Sequence, residues 1–191
     1  MKRMLIIGPP GSGKGTQAAR ISESLGVVAI STGDIFRANV KEMTPLGVEA
    51  KKYIDAGNFV PDEVTNRMVR DRLTQDDVAD GFLLDGYPRT SAQVDELDDI
   101  LAEGGHELDA VLQLTADDDE LVARLLKRAE IEGREDDNEE VIRHRLGLYK
   151  EQTQVVVDRY LERGIVRPVD GLGDVDEVTE RVLGALETPA K

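Results

Sequence analysis

The run Gly8-Pro9-Pro10-Gly11-Ser12-Gly13-Lys14-Gly15-Thr16 constrains this chain more than any other segment. It follows Met4-Leu5-Ile6-Ile7, a short apolar run that reads as a buried strand. It opens Thr16–Leu25, which reads as a helix closed by Gly26. A glycine-rich turn in that setting lets backbone N–H groups converge on phosphate oxygens, with the positive end of the helix behind them. Lys14 adds a point charge able to follow the outer phosphates of a nucleotide. The general form of this loop has Ser or Thr directly after the lysine to hold magnesium. Here Gly15 takes that place and Thr16 comes one later. By itself the loop specifies nucleotide phosphate and not a reaction.

The rest of the chain repeats the strand–helix pattern. Val27–Ile30, Phe82-Leu83-Leu84 and Ala110–Leu114 are further short apolar runs, and Gly164-Ile165-Val166 starts a fifth. Helical patterns lie between them, across about 91–103, 120–128, 139–162 and 175–186, and residues 34–73 are helical with breaks at Pro45, Gly57 and Pro61. Short buried strands alternating with helices predict an α/β fold: one P-loop domain over 1–191, built on a five-stranded parallel sheet with helices on both faces. Residues 130–140 hold seven acidic residues and one arginine, Arg134, and are expected to form an exposed loop. The end, Thr188–Lys191, is expected to fray.

Composition removes several classes of function. The net charge is −15, which disfavours nucleic acid as a partner and describes a solvated surface. There is no cysteine, so disulfides and cysteine-held metals are excluded. His106 and His144 are too scattered to suggest a catalytic metal centre. No apolar stretch approaches the roughly 20 residues of a membrane span, and the apolar start at Met4–Ile7 is too short for a signal peptide. The expectation is a cytoplasmic monomer.

Phosphoryl transfer needs positioning and positive charge more than covalent chemistry. A kinase joining two nucleotides must clamp about five phosphates, and so should place arginines on loops and helix ends. Arg37, Arg89, Arg128, Arg134 and Arg145 stand there. Each has a plainer reading. Arg128 and Arg145 suit a solvated helix face, Arg134 could offset its acidic neighbours, and Asp85 before Gly86 could simply form a turn. Arg89 follows a strand end, where sites gather in parallel sheets.

Four segments in chain order resemble the adenylate kinase family: Gly8–Gln17, Ser31-Thr32-Gly33-Asp34-Ile35-Phe36-Arg37, Asp85-Gly86-Tyr87-Pro88-Arg89 and Gly133-Arg134-Glu135-Asp136-Asp137-Asn138. The resemblance covers nearly the whole chain. It implies reversible transfer of the terminal phosphoryl group from MgATP to AMP, giving two ADP. ATP would lie on Gly11, Ser12, Gly13, Lys14, Gly15, Thr16 and Arg128, and its adenine would meet main chain near Gly173, where some members have lysine. AMP would lie among Thr32, Arg37, Asn58, Phe59, Val60, Gly86, Tyr87, Arg89, Gln93, Arg134 and Arg145, with its phosphate on Arg37 and Arg89. Arg134 and Arg145 would approach the transferring group, oriented by Asp136 and Asp137. Lys14, Asp85, Arg89, Arg128, Arg134 and Arg145 would form the catalytic set, with Mg²⁺ reached through water near Asp85 and Thr16. An AMP-binding helical insertion at 31–60 and a short lid at 129–138 would close on the substrates, and lid opening would limit turnover. Long-lid relatives sometimes carry zinc on four cysteines, so no zinc is expected here.

By the same resemblance, Thr32 and Gln93 stand where the family meets the AMP base, which favours AMP over UMP or CMP as acceptor. A GTPase switch needs an Asn-Lys-x-Asp motif, which is absent. A module that binds ATP without turnover would leave the arginines without a task.

Overall fold

The computed structural model describes residues 2–56, 58–133 and 138–188. Among the expected residues, Gly57, Arg134, Asp136 and Asp137 lie outside these, as do residues 189–191. In chain order the elements are β1 (Lys2–Ile7), α1 (Lys14–Leu25), β2 (Val28–Ser31), α2 (Thr32–Lys41), α3 (Pro45–Asp55) and α4 (Asp62–Leu73). A 3₁₀ turn (Asp76–Val78) leads to β3 (Gly81–Asp85), α5 (Ser91–Glu103), β4 (Ala110–Thr115), α6 (Asp118–Glu132), α7 (Glu139–Leu161), β5 (Val166–Asp170) and α8 (Val175–Glu187).

The five strands form one sheet in the order β2-β3-β1-β4-β5, and every pairing is parallel. This is the α/β architecture expected from the sequence. β1 is flanked on both sides, with Leu5 opposite Leu84 and Val111. Successive side chains of a strand face opposite ways, so an all-apolar strand fills two cores at once. Leu5, Ile7, Phe82, Leu84 and Val111 join one core, which takes in residues of α2–α5 and α7. Met4, Ile6, Leu83, Leu112 and Leu114 join the other, with Ile21 of α1 and Val178 and Val182 of α8.

Side-chain caps start most helices. Ser31, Thr90 and Asn138 accept the backbone N–H three residues on, from Asp34, Gln93 and Val141. Thr44 caps α3 through Gly47, with Pro45 in the first turn.

The acidic stretch departs from expectation. α6 runs through Glu132 instead of giving way to a loop near residue 129, because Leu121, Val122 and Ala129 continue one buried face. Gly133, at φ 65°, then ends the helix and donates its N–H to Ala129 and Glu130 carbonyls. Acidity described the solvent face of this helix, not its absence. A small third core of Leu121, Val122, Ile142 and Leu146 binds α6 to α7.

Candidate functional site

β1 and β3 run side by side and end together, with Ile6 opposite Asp85. The loops leaving these two strands line a cleft of about 620 Å³ at the carboxyl edge of the sheet, where parallel sheets bind ligands.

The first loop turns on Gly11 (φ 82°) and Gly13 (φ 78°), both in the left-handed region that glycine adopts without strain. Gly13 caps α1 with no side-chain hydrogen bond, so the leading N–H groups of that helix have no side-chain acceptor. Ser12 is 2% exposed and its Oγ has no hydrogen-bond partner among the described residues. The Lys14 ammonium lies 2.7 Å from Asp85 Oδ1, joining the two loops. That oxygen meets no hydrogen-bond geometry, so the contact is an ion pair and not a directed hydrogen bond.

The second loop, Gly86–Thr90, carries a cis Tyr87–Pro88 bond. Gly86 sits at φ 86°, and a Cβ there would fall 2.6 Å from Thr32 Oγ1. Arg89 lines the cleft, its Nε donating to the Gly86 carbonyl at 2.8 Å. Tyr87 is buried and its hydroxyl donates to Asn66 Oδ1 at 2.7 Å. Burial holds its phenol above the usual value, with Glu96 adding to the effect.

Helix α7 forms the far wall. Arg145, Leu148, Tyr149, Gln152 and Thr153 present one helical face to the cleft. Burial pushes the Tyr149 phenol up to about 12; the Thr153 hydrogen bond and the Arg89 charge pull the other way, and Asp85 adds to the rise. Tyr149 is therefore a neutral hydroxyl at ordinary pH. Arg128 reaches the cleft from the end of α6 while pairing with Glu132. Phe59, 96% exposed, stands at the opposite lip.

The cleft thus gathers Gly11, Ser12, Gly13, Lys14, Gly15, Thr16, Phe59, Gly86, Tyr87, Arg89, Arg128 and Arg145, with Asp85 tied in through Lys14. Thr32 is buried just behind, donating to the Gly86 carbonyl at 3.3 Å. Gln93 is also behind the wall, 6% exposed. Four further expected residues lie off the cleft wall. Arg37 is ion-paired with Asp34 on the outer side of α2 and holds that carboxyl below its usual range, helped by Ser31. Asn58 lines a separate dent beside α3, and Val60 packs on the main core. Gly173 (φ 113°) lies against Glu177 and Arg181 of α8.

Four residues at or beside the cleft escaped the sequence reading: Arg124, Leu125, Tyr149 and Thr153. Arg124 donates to the Gly11 carbonyl at 3.3 Å, and Leu125 packs under Gly11. Arg124 precedes Arg128 by four, and Tyr149 follows Arg145 by four, so one-turn spacing from residues already singled out would have found both. Thr153 continues the α7 row by the same step.

Among the described residues, no group of three or more His, Asp or Glu could hold a metal, and no helix is long and apolar enough to cross a membrane.

The model of the adenylate kinase family matches residues 6–165. An adenylate kinase of Pseudarthrobacter chlorophenolicus is 73% identical over 187 residues, covering 98% of this chain and 97% of that protein. Adenylate kinases of Renibacterium salmoninarum and Kocuria rhizophila are each 70% identical over 187 residues, covering 98% of this chain and 97% and 100% of those proteins. A phosphate loop facing an arginine loop across the carboxyl ends of two parallel strands, with sequence identity of this extent, has one consequence: the chain belongs to the adenylate kinase family.

Proposed function

We propose that this cleft transfers the terminal phosphoryl group of ATP reversibly to AMP, giving two ADP, with the phosphate loop as donor side and the Arg89 loop as acceptor side. One observation carries the division of labour: Lys14 and Arg89 line the same cleft from adjacent strand ends. An oxygen of the AMP phosphate attacks the γ-phosphorus, the bond from that phosphorus to the β–γ bridging oxygen breaks, and ADP leaves from each side.

On the donor side, the uncapped N–H groups of α1, the orphan Ser12 hydroxyl and the Lys14 ammonium are the groups that would take phosphate oxygens. Arg124 and Arg128 bring two further cations to that side. Charge that spreads over the transferring group is met by fixed dipoles and cations, the term that dominates phosphoryl transfer. On the acceptor side, Arg89 would hold the AMP phosphate, with Arg145 facing it from α7 and Gln93 at the adenine edge.

Asp85 and Thr16 are hard oxygen donors beside the phosphate loop, a set that fits Mg²⁺ held largely through water. Bound with ATP, the ion neutralises charge on the outer phosphates. Asp85 also keeps Lys14 pointed at the loop before substrate arrives.

Closure of a 31–60 flap and a 129–138 lid, bringing Arg37 and Arg134 inward and excluding water, belongs to the same proposal. So does a cytoplasmic location, together with a soluble monomer, the latter favoured by a net charge of −15. Steady-state kinetics of one variant test the division of labour. Arg89→Ala should raise KM for AMP and cut kcat/KM by about a hundredfold, with KM for ATP little changed. Equal effects on both nucleotides would contradict it.

A further inference from the structure

We propose that Asp62 is a positioning residue for the acceptor side: it fixes the orientation of the Gln93 amide and, through that amide, the backbone of Arg89. The inference rests on the reading that Arg89 and Gln93 serve AMP.

Asp62 opens α4 and is half-buried against the start of α5. Its Oδ1 accepts from Gln93 Nε2 at 2.8 Å, and its Oδ2 accepts from Thr90 Oγ1 at 3.0 Å. Gln93 Oε1 in turn accepts the backbone N–H of Arg89 at 2.7 Å. A carboxylate can only accept, and a backbone N–H can only donate. The amide therefore has one allowed orientation, NH₂ toward Asp62 and oxygen toward Arg89. Turned over, it would set oxygen against carboxylate and nitrogen against N–H, losing both bonds at a site only 6% exposed.

The consequence is chemical. The amide keeps one N–H and one oxygen lone pair, in a fixed order, for a base edge. Adenine offers an acceptor at its ring nitrogen and a donor at its exocyclic amine. Hypoxanthine offers the reverse at the same two places. A locked amide tells them apart; an amide free to turn does not.

Asp62 stands on an element already fastened elsewhere. Arg70 of α4 pairs with Glu96 and Glu103 of α5 at 2.8 and 2.6 Å, and Asn66 holds Tyr87. Removing Asp62 should thus free the amide without detaching the helix. The rival role is an acidic residue in the first turn of α4 that stabilises only that helix end.

The test compares the full chain with Asp62→Ala, Asp62→Asn and Gln93→Ala, measuring KM for AMP, IMP and ATP, together with thermal midpoints. Asp62→Ala should raise KM for AMP about tenfold, leave KM for ATP within about twofold, and raise the IMP-to-AMP ratio of kcat/KM. Asp62→Asn should recover most of the loss, because its carbonyl can still accept from Gln93 while the Thr90 hydroxyl rotates to accept from its NH₂. In the unsubstituted protein, the side-chain NH₂ protons of Gln93, assigned by their loss in Gln93→Ala, should be shifted and slow to exchange. Averaged, fast-exchanging protons overturn the proposal even if no Asp62 variant folds. A lowered midpoint with unchanged KM for AMP and unchanged base ratio in Asp62→Ala also overturns it. If Gln93→Ala impairs AMP use and Asp62→Ala does not, only the role of Asp62 fails. If Gln93→Ala is itself silent, the reading of Gln93 on the acceptor side fails first, and the inference with it.

Discussion

Single residues divide here into those that touch the cleft and those that hold others in place. Lys14 belongs to the first group, and Lys14→Met should cost about a thousandfold in kcat, read by coupled ADP formation. That figure reflects loss of one fixed charge where negative charge moves. Tyr160 belongs to neither. Its ring is fully buried and lies 5.1 Å from the Arg163 guanidinium, yet its hydroxyl has no hydrogen-bond partner among the described residues. Tyr160→Phe keeps the ring and removes the orphan, so the variant should equal or exceed the natural protein in stability, by up to about 1 kcal/mol in denaturant unfolding. The residues of the phosphate loop were legible because backbone geometry and charge are local properties. Arg37 and Asn58 lie off the cleft wall in this structure, a placement that sequence alone does not show because it depends on how α2 and α3 dock. Gln93 was identified as a residue, but its bond to Asp62 depends on α4, thirty-one positions away.

Elements show the same division. The strands β1, β3 and β4 were legible because the middle of each is apolar on both faces, as a covered parallel sheet requires, whereas β5 carries Arg167 and Asp170 and was read only from its start. The length of α6 was misread where acidic composition outweighed periodicity, although Ala129 continues the buried face. Between α2 and α3 the fit is close enough to be tested with one methyl group. Gly47 is buried at the start of α3, and a Cβ there would fall 2.1 Å from the Asn39 carbonyl oxygen. The obstacle is backbone, so it cannot rotate away. Gly47→Ala should cost about 3 kcal/mol by chemical denaturation and should weaken AMP use more than ATP use if the 31–60 region is the acceptor flap.

For the whole molecule, three phenols are held above their ordinary value: Tyr149 at about 12, with Tyr87 and Tyr160 higher still, chiefly through burial. Above pH 10 the unfolded chain releases these protons while the folded chain keeps them. The folded state then binds more protons, so stability must fall as pH rises from about 10. Unfolding midpoints at pH 8 and pH 11 should show that fall, and Tyr149→Phe should reduce it. The topology joins the site to this framework, since two neighbouring strand ends deliver the phosphate loop and the Arg89 loop into one cleft. The proposal that those loops serve two different nucleotides is tested by phosphoryl transfer from MgATP to AMP, CMP, UMP and GMP in parallel, reading each diphosphate formed. Clear preference for AMP is expected, with two ADP per AMP consumed and loss of transfer in Lys14→Met. ATP binding with no transfer to any of the four acceptors would contradict it.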